Sequence, residues 1–338
     1  MWKNTKKVSI YAKMWYTKIN YEIGGIVKEM KVKSFKNLDE QIEILKEKGL
    51  IIEDVTETKE ILLRENYFFI SGYRHVLMNS YSDKTFVPAS TFRELYSIFL
   101  FDRYFRNIMF KNLLIIENQL KSVISYQLSK NYGYMEKDYL NHKSFTNDPT
   151  KKRRVKDIIE KIKRQVRINA SRHNATIHYL NKYGYIPMWV LVKVLSFGLV
   201  CELFSILKKE DQVAVADTFG VSVEYMNEFL PILSNYRNLC AHEDIVFDHR
   251  TEKYIDDNEY HRKLGINKMD GEYIYGKNDI FAVIIMLKYL LRNSEFRVML
   301  KEIEYEIEKL DGRVDSVPIA RVLDRMGFPE NYMELVEM

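Results

Sequence analysis

The chain of 338 residues carries a formal net charge of +5, and 46% of its residues are apolar, which is enough for one large or two ordinary domains. No stretch of about 18 apolar residues without charge occurs, and the basic residues 1–7 lack the apolar segment of a signal peptide, so a membrane or secreted protein is not expected. Cys201 and Cys240 are too few for a disulfide framework or the usual zinc clusters, so we expect a cytoplasmic protein without a metal site.

Only 13 Gly and 6 Pro interrupt a sequence rich in good helix formers, so an all-α fold is predicted. Residues 1–30, basic and rich in Tyr, are predicted to form an N-terminal arm. Residues 31–90 are predicted to form an N-terminal helical region. It begins with a capping box at Asn37 and Glu40, and its first helix is predicted to end at Gly49.

The main helical domain is predicted to span residues 91–298. It opens with residues 91–131, read as one long helix or two consecutive ones. Glu117 falls in the apolar stripe of this segment, four residues after Leu113 and three before Leu120. A carboxylate on a buried face needs a partner, which is either Arg237 or another nearby base.

A basic helix is predicted at residues 151–170, because residues 151–172 hold ten Lys or Arg against two acids. This charge run has two interpretations, a solvated helix face or a face that binds a polyanion. The neighbouring Tyr179, Tyr183 and Tyr185 offer rings on which unpaired bases can stack. The cations assigned to RNA binding are Lys151, Lys152, Arg153, Arg154, Lys161 and Arg164.

The later elements are also mainly helical. Residues 188–207, after Pro187, are predicted to form one apolar helix, and residues 221–239 another. The turn dipeptide Asp270-Gly271 predicts a small β-hairpin insertion within residues 247–277. Further helices are predicted at residues 279–292, 296–310 and 318–326. Residues 299–338 are predicted to form a C-terminal helical tail.

Three polar side chains, Arg237, Asn238 and His242, interrupt an otherwise apolar helix. Asn238 and His242 share a helix face, whereas Arg237 and His242 diverge by about 140°. RNA can be cut without a metal when its own 2′-hydroxyl attacks the adjacent phosphate; His carries the proton and Arg offsets charge on phosphorus. A helix-end histidine and an arginine in a structural ion pair give the same spacing, so the pattern alone leaves both interpretations open.

The segment Arg237-Asn238-Leu239-Cys240-Ala241-His242 resembles the R-N-x-x-x-H signature of HEPN ribonucleases. Residues 31–335 resemble the Abi-like abortive-infection family (AbiD/AbiF type), although Lys121 stands where an Arg is expected and Tyr332 replaces a Trp. The other elements that carry this resemblance are, in order, residues 35–42 and 45–51, Asn66-Tyr67, Ser71-Gly72-Tyr73-Arg74, Phe101-Asp102-Arg103, Ile116-Glu117, residues 187–191 and 195–198, and residues 327–332.

The resemblance implies a HEPN-like helical bundle and a metal-independent endoribonuclease without a cofactor, with Arg237, Asn238 and His242 as its catalytic residues. Glu117 and Tyr236 are the implied supporting residues. It also implies a toxin of phage defence that acts on RNA, is restrained by a small regulatory RNA, and forms a homodimer with a shared cleft; no DNA or membrane partner is expected. RNA docking is therefore the favoured interpretation of the basic helix. A non-catalytic RNA-binding protein or a scaffold of a defence complex is the alternative.

Overall fold

The computed structural model describes residues 34–80 and 82–338, so the predicted N-terminal arm lies outside the described residues. The described part is almost entirely helical, which confirms the predicted all-α fold. No helix within it is both long and apolar enough to cross a membrane. The α-helices are α1 (Leu38–Glu47), α2 (Val55–Glu65), α3 (Tyr67–Ser71), α4 (Phe92–Tyr132), α5 (Glu136–Tyr139), α6 (Lys152–Asn169), α7 (Asn174–Tyr183), α8 (Met188–Leu191), α9 (Phe197–Ile206), α10 (Lys209–Thr218), α11 (Val223–Ala241), α12 (Glu259–Lys263), α13 (Ile280–Leu290), α14 (Asn293–Asp311) and α15 (Ile319–Met326). Short 3-10 helices occur at Gly72–Leu77, His142–Ser144, Pro149–Lys151, Val192–Val194 and Tyr332–Val336.

The first helix begins as its sequence predicts. The Asn37 side chain accepts the Glu40 N–H at 2.9 Å, and the Glu40 carboxylate accepts the Asn37 N–H at 2.8 Å, which completes the capping box. Gly49 follows the helix with a φ of +88°, a conformation that glycine adopts without steric cost. The division of the chain into domains remains a prediction.

The 41-residue helix α4 is the scaffold of the fold. A second capping box, between Thr91 and Glu94, starts it, and Gly133 ends it at a φ of +103°. At 1.5 Å per residue it is about 60 Å long. It contacts α14 on one side and α8, α10 and α11 on others, so most of the apolar core is built around it. Residues 91–131 therefore form one helix rather than two.

The single apolar helix predicted at residues 188–207 is wrong. The chain forms the short helix α8, a 3-10 turn and then α9, with Leu195 and Ser196 in extended conformation between them. The Ser196 side chain accepts the Leu199 N–H at 3.3 Å and so caps α9. The apolar pattern concealed the break because the residues on both sides of it are almost all apolar.

The predicted hairpin insertion is confirmed, and it consists of β1 (Lys268–Met269) and β2 (Glu272–Tyr273) in antiparallel pairing. Asp270 and Gly271 both have positive φ, at 53° and 88°, as a two-residue type I′ turn requires.

The buried His261 attaches this hairpin to the core. Its Nδ1 accepts the Asn258 N–H at 3.1 Å, its Nε2 lies 2.9 Å from the Gly276 carbonyl oxygen, and its ring stacks on Tyr273. With Nδ1 accepting, Nε2 carries the proton of a neutral imidazole. Burial lowers the pKa of His261.

We expect acid to destabilise the fold through His261. Below the ordinary histidine pKa of about 6.5, the unfolded imidazole takes up a proton that the folded one resists, so the free energy of unfolding decreases as pH falls. Urea denaturation at pH 8 and pH 5 measures the loss. The loss should be smaller in His261→Gln, because glutamine does not titrate. Burial also lowers the pKa of His75 and of His249, but both residues are present in both proteins, so their effect cancels in the comparison. An equal loss in both proteins would contradict this role.

Candidate functional site

The Arg237-to-His242 motif lies at the C-terminal end of α11. His242 is the first residue beyond the helix, and its N–H donates to the Asn238 carbonyl at 3.0 Å. Glu243 then turns the chain with a φ of 58°, and the Asp244 N–H donates to the Leu239 carbonyl at 3.0 Å. This Schellman closure stops the helix and leaves the His242 side chain exposed at its end.

Arg237 points toward α4 and is held there by Glu117. The Arg237 Nε lies 2.9 Å from Glu117 Oε2, and the guanidinium lies over the Phe110 ring with 5.5 Å to its centroid. Lys121 Nζ lies 2.7 Å from the other carboxylate oxygen of Glu117. The two partners considered for Glu117 are therefore both present. Glu117 orients Arg237, and it also pairs with a second base, Lys121.

The guanidinium keeps its terminal nitrogens available. In the described part of the chain, Nη1 and Nη2 of Arg237 have no hydrogen-bond partner, and the side chain is 24% exposed. Two cations share one carboxylate at this site, so Arg237, Lys121 and Glu117 together carry a net positive charge. A planar pair of N–H donors beside such a charge suits a phosphate oxygen pair.

Asn238 and His242 lie on a different face of α11 from Arg237, as their spacing predicts. Both are exposed, and no hydrogen bond or ion pair among the described residues joins Arg237 to His242. Tyr236 is fully buried, and its hydroxyl donates to the His249 carbonyl at 2.8 Å, so it anchors α11 to the following segment.

A buried network that the sequence did not predict fixes the chain just after His242. Asp102 accepts hydrogen bonds from the Tyr73 hydroxyl at 2.6 Å and from the Phe247 N–H at 3.0 Å. Arg106 pairs with the same carboxylate at 2.5 Å and also lies 3.4 Å from the Asp244 carbonyl oxygen. Burial raises the pKa of Asp102 to about 6, while Arg106 and the hydrogen bonds act in the opposite direction.

Asp102 and Arg103 adjoin in the sequence and could be expected to form a structural pair, but the structure shows that they do not. Arg103 lies about 100° further round α4 and instead pairs with Glu65 at 2.6 Å. Asp102 and Arg106 are four residues apart and share the buried face, which is the spacing that could have identified the pair from the sequence.

A groove of about 800 Å³ runs between α6, α9 and α11. Its α11 wall ends at Ser234, one helical turn before Arg237, and its α9 wall includes Cys201 and Glu202. The α9 and α11 helices approach closely at Gly198, where a Cβ would lie 3.1 Å from Ser234 Oγ. Of the six cations assigned to RNA binding, four line the groove, namely Lys151, Arg154, Lys161 and Arg164.

The other two predicted cations, Lys152 and Arg153, do not line the groove. Lys152 lies on the opposite flank of the buried stripe of α6, together with Lys156. One groove cation, Lys161, is paired with Glu202 at 2.7 Å. The basic helix could therefore be predicted from the sequence, but only the structure shows which of its cations face the groove.

A family model described as Abi-like protein matches residues 60–248, more than half of the chain. The match includes Asp102, Glu117, Arg237 and His242. Comparisons with curated proteins and with solved structures found no match. The chain therefore belongs to the Abi-like protein family, whose name refers to abortive infection.

Proposed function

We propose that this protein is a metal-independent endoribonuclease of the HEPN type that acts in abortive infection. One observation carries the proposal. Glu117 holds Arg237 by Nε, so the terminal nitrogens remain free for a phosphate, and the same helix ends at the exposed His242. The groove, whose lining includes five cations and one acid, supports an extended polyanionic substrate leading to that point.

In the proposed reaction His242 accepts the proton of the RNA 2′-hydroxyl. The 2′-oxygen then bonds to phosphorus and the bond from phosphorus to the 5′-oxygen breaks, giving a 2′,3′-cyclic phosphate and a 5′-hydroxyl. Arg237 offsets the negative charge that builds on the phosphorus oxygens. Glu117 acts as a positioning residue, since it touches Arg237 rather than the reacting atoms.

The leaving 5′-oxygen needs a proton from a second acid. The motif contains one histidine, so we assign this second role to His242 of another copy of the chain in a homodimer. Asn238 shares the exposed face with His242 and can hold a phosphate oxygen or orient the imidazole. The same groove offers a small regulatory RNA a place to compete with the substrate.

Cleavage is expected to persist in EDTA. The described residues contain no cluster of three or more His, Cys, Asp or Glu side chains able to hold a metal, and proton transfer by His242 does not require one. Purified protein should therefore cut mixed cellular RNA with EDTA present and leave cyclic phosphate at the 3′ ends. The matched control is His242→Ala under the same conditions. Strict dependence on magnesium with 3′-hydroxyl products would contradict the mechanism.

The cations of the groove should govern RNA affinity. Changing Arg154, Lys161 and Arg164 to Gln removes three charges that line the groove. Because each phosphate contact contributes about 0.7 to the log–log salt slope on single strands, the slope should become shallower by about two units. Affinity should fall at least about tenfold, or about 1.4 kcal/mol. A salt titration of RNA binding measures both quantities.

The control for this experiment is a second triple variant of α6. Changing Lys152, Lys156 and Arg167 to Gln also removes three exposed charges, from the flank turned away from the groove. This variant should keep the wild-type slope within one unit. Equal losses in the two variants would show that the helix attracts RNA without a defined path and would overturn the assignment of the groove.

A further inference from the structure

Six aromatic side chains form a continuous surface cluster that the proposed reaction does not use. We call it the aromatic platform. The ring centroids of Tyr134 and Tyr185 lie 5.6 Å apart, those of Tyr183 and Tyr185 6.3 Å, and those of Tyr179 and Tyr183 5.3 Å. Trp189 extends the cluster from Tyr134 at 6.5 Å. The members are Tyr134, His178, Tyr179, Tyr183, Tyr185 and Trp189.

The aromatic platform lies at the protein surface, and three of its rings are about half exposed to solvent. Tyr134 is 47% exposed, Tyr183 48% and Trp189 47%. Contiguous exposed aromatic surface on a folded protein usually marks a place where something binds. Rings that contact one another edge-on or tilted leave their faces available to a flat ligand.

The base of the platform is held firmly. The Tyr139 hydroxyl donates to the Ile186 carbonyl at 2.6 Å, and the Ile186 N–H donates to the Glu136 carboxylate at 2.6 Å. These two bonds attach the backbone next to Tyr185 to helix α5, so this part of the platform has a fixed support. Preorganised rings lose little entropy when a ligand stacks on them.

The positive charge around the platform favours a negatively charged ligand. Residues 161–201 contain seven Lys or Arg and no Asp or Glu, and this stretch supplies five of the six platform rings. Lys182 Nζ lies over the Tyr183 ring, 5.3 Å from its centroid. The Glu136 carboxylate, which contacts this stretch, accepts the Ile186 N–H. A ligand with flat rings and negative charges fits this surface on both counts.

We propose that the aromatic platform stacks unpaired bases of RNA. The inference rests on the proposed ribonuclease function and deepens it, because it assigns the substrate class as RNA with a single-stranded segment. Every base presents a π face, so the platform tolerates any sequence and discriminates against duplex, whose bases are already stacked. The nearby cations hold the phosphates that connect the bases.

The test measures binding in the His242→Ala protein, so that cleavage does not interfere. The probes are a labelled unstructured oligouridylate and its duplex with oligoadenylate. Adding Tyr183→Ala and Trp189→Ala should weaken binding of the single strand at least about fivefold per ring. Adding Tyr183→Phe and Trp189→Phe, which keeps rings in place, should largely preserve it. The salt slope should remain unchanged in both, since no phosphate contact is removed.

Fluorescence gives a second, independent readout. The chain has three Trp, at positions 2, 15 and 189, so Trp2→Phe with Trp15→Phe leaves Trp189 as the single emitter. A base stacked on the indole should quench its emission on addition of oligouridylate, and duplex should quench it less. This measurement leaves the platform intact and therefore does not depend on how its variants fold.

The outcomes separate the two proposals. Unchanged affinity in the Ala variant, or an unquenched Trp189 at saturating oligouridylate, overturns the platform even if the wild-type protein cleaves RNA. Equal losses for single strand and duplex also overturn it. Loss of cleavage in every assay, with ring-dependent binding retained, overturns the ribonuclease and leaves the platform standing.

Discussion

Arg237→Ala and His242→Ala are each expected to reduce RNA cleavage by at least about a hundredfold. Without His242 the 2′-hydroxyl proton has no acceptor at the motif, and without Arg237 the charge on phosphorus is not offset. Neither side chain is buried in the core, so both variants should fold and should still bind RNA through the groove. Initial rates on a labelled RNA, with binding measured separately, check both statements.

Two further variants make this test specific. Arg237→Lys keeps the charge but loses the planar fork and the Nε contact with Glu117, so it should recover little activity. His142→Ala removes another exposed histidine, far along the chain from the motif, and should cut RNA at the wild-type rate. Near wild-type cleavage in both Ala variants of the motif would end the assignment and would mean that other residues of the chain carry the cleavage.

Asp102→Ala should be the most destabilising single change in the region of the site. It leaves the Arg106 cation, 4% exposed, without a counterion, and it removes the acceptor for Tyr73 and for the Phe247 N–H. Breaking a buried ion pair from one side costs about 3–5 kcal/mol. Urea unfolding followed by circular dichroism measures the loss.

The control for this variant removes one partner of an exposed ion pair instead of a buried one. Asp157 lies 3.9 Å from Arg153 in an exposed pair, so Asp157→Ala should change stability by less than about 1 kcal/mol. Tyr73→Phe removes a buried hydroxyl that donates to Asp102 and accepts from Arg106, and it should cost about 2 kcal/mol. A loss in Asp102→Ala no larger than that of Asp157→Ala would mean that the network does not support the fold.

Local patterns made much of the fold predictable. The capping box at Asn37 and the Asp270-Gly271 turn are decided by residues within a few positions of each other, and both were predicted correctly. The break at Ser196 was missed because a nearly continuous apolar run has no clear periodicity that would separate one helix from two. A cap of average strength is a weak signal inside an apolar run.

Parts of the candidate site could not be predicted because they depend on contacts between residues far apart in the sequence. Glu117 and Arg237 are 120 positions apart, so the sequence could show that each needs a partner but could not decide between candidates. The faces of α6 are a similar case. Counting charges identified the basic helix, but only the positions of α9 and α11 determine that Arg154 lines a groove and Lys152 does not.

The length of α4 has a consequence for how the protein can be controlled. One uninterrupted helix carries Asp102, Glu117 and, just past its end, Tyr134, and its middle is buried in the core. Its central amides should exchange with solvent only when the whole molecule unfolds. A regulator that loosened α4 would have to supply nearly the full free energy of unfolding, whereas one that occupied the space before Arg237 would need only to outcompete the substrate.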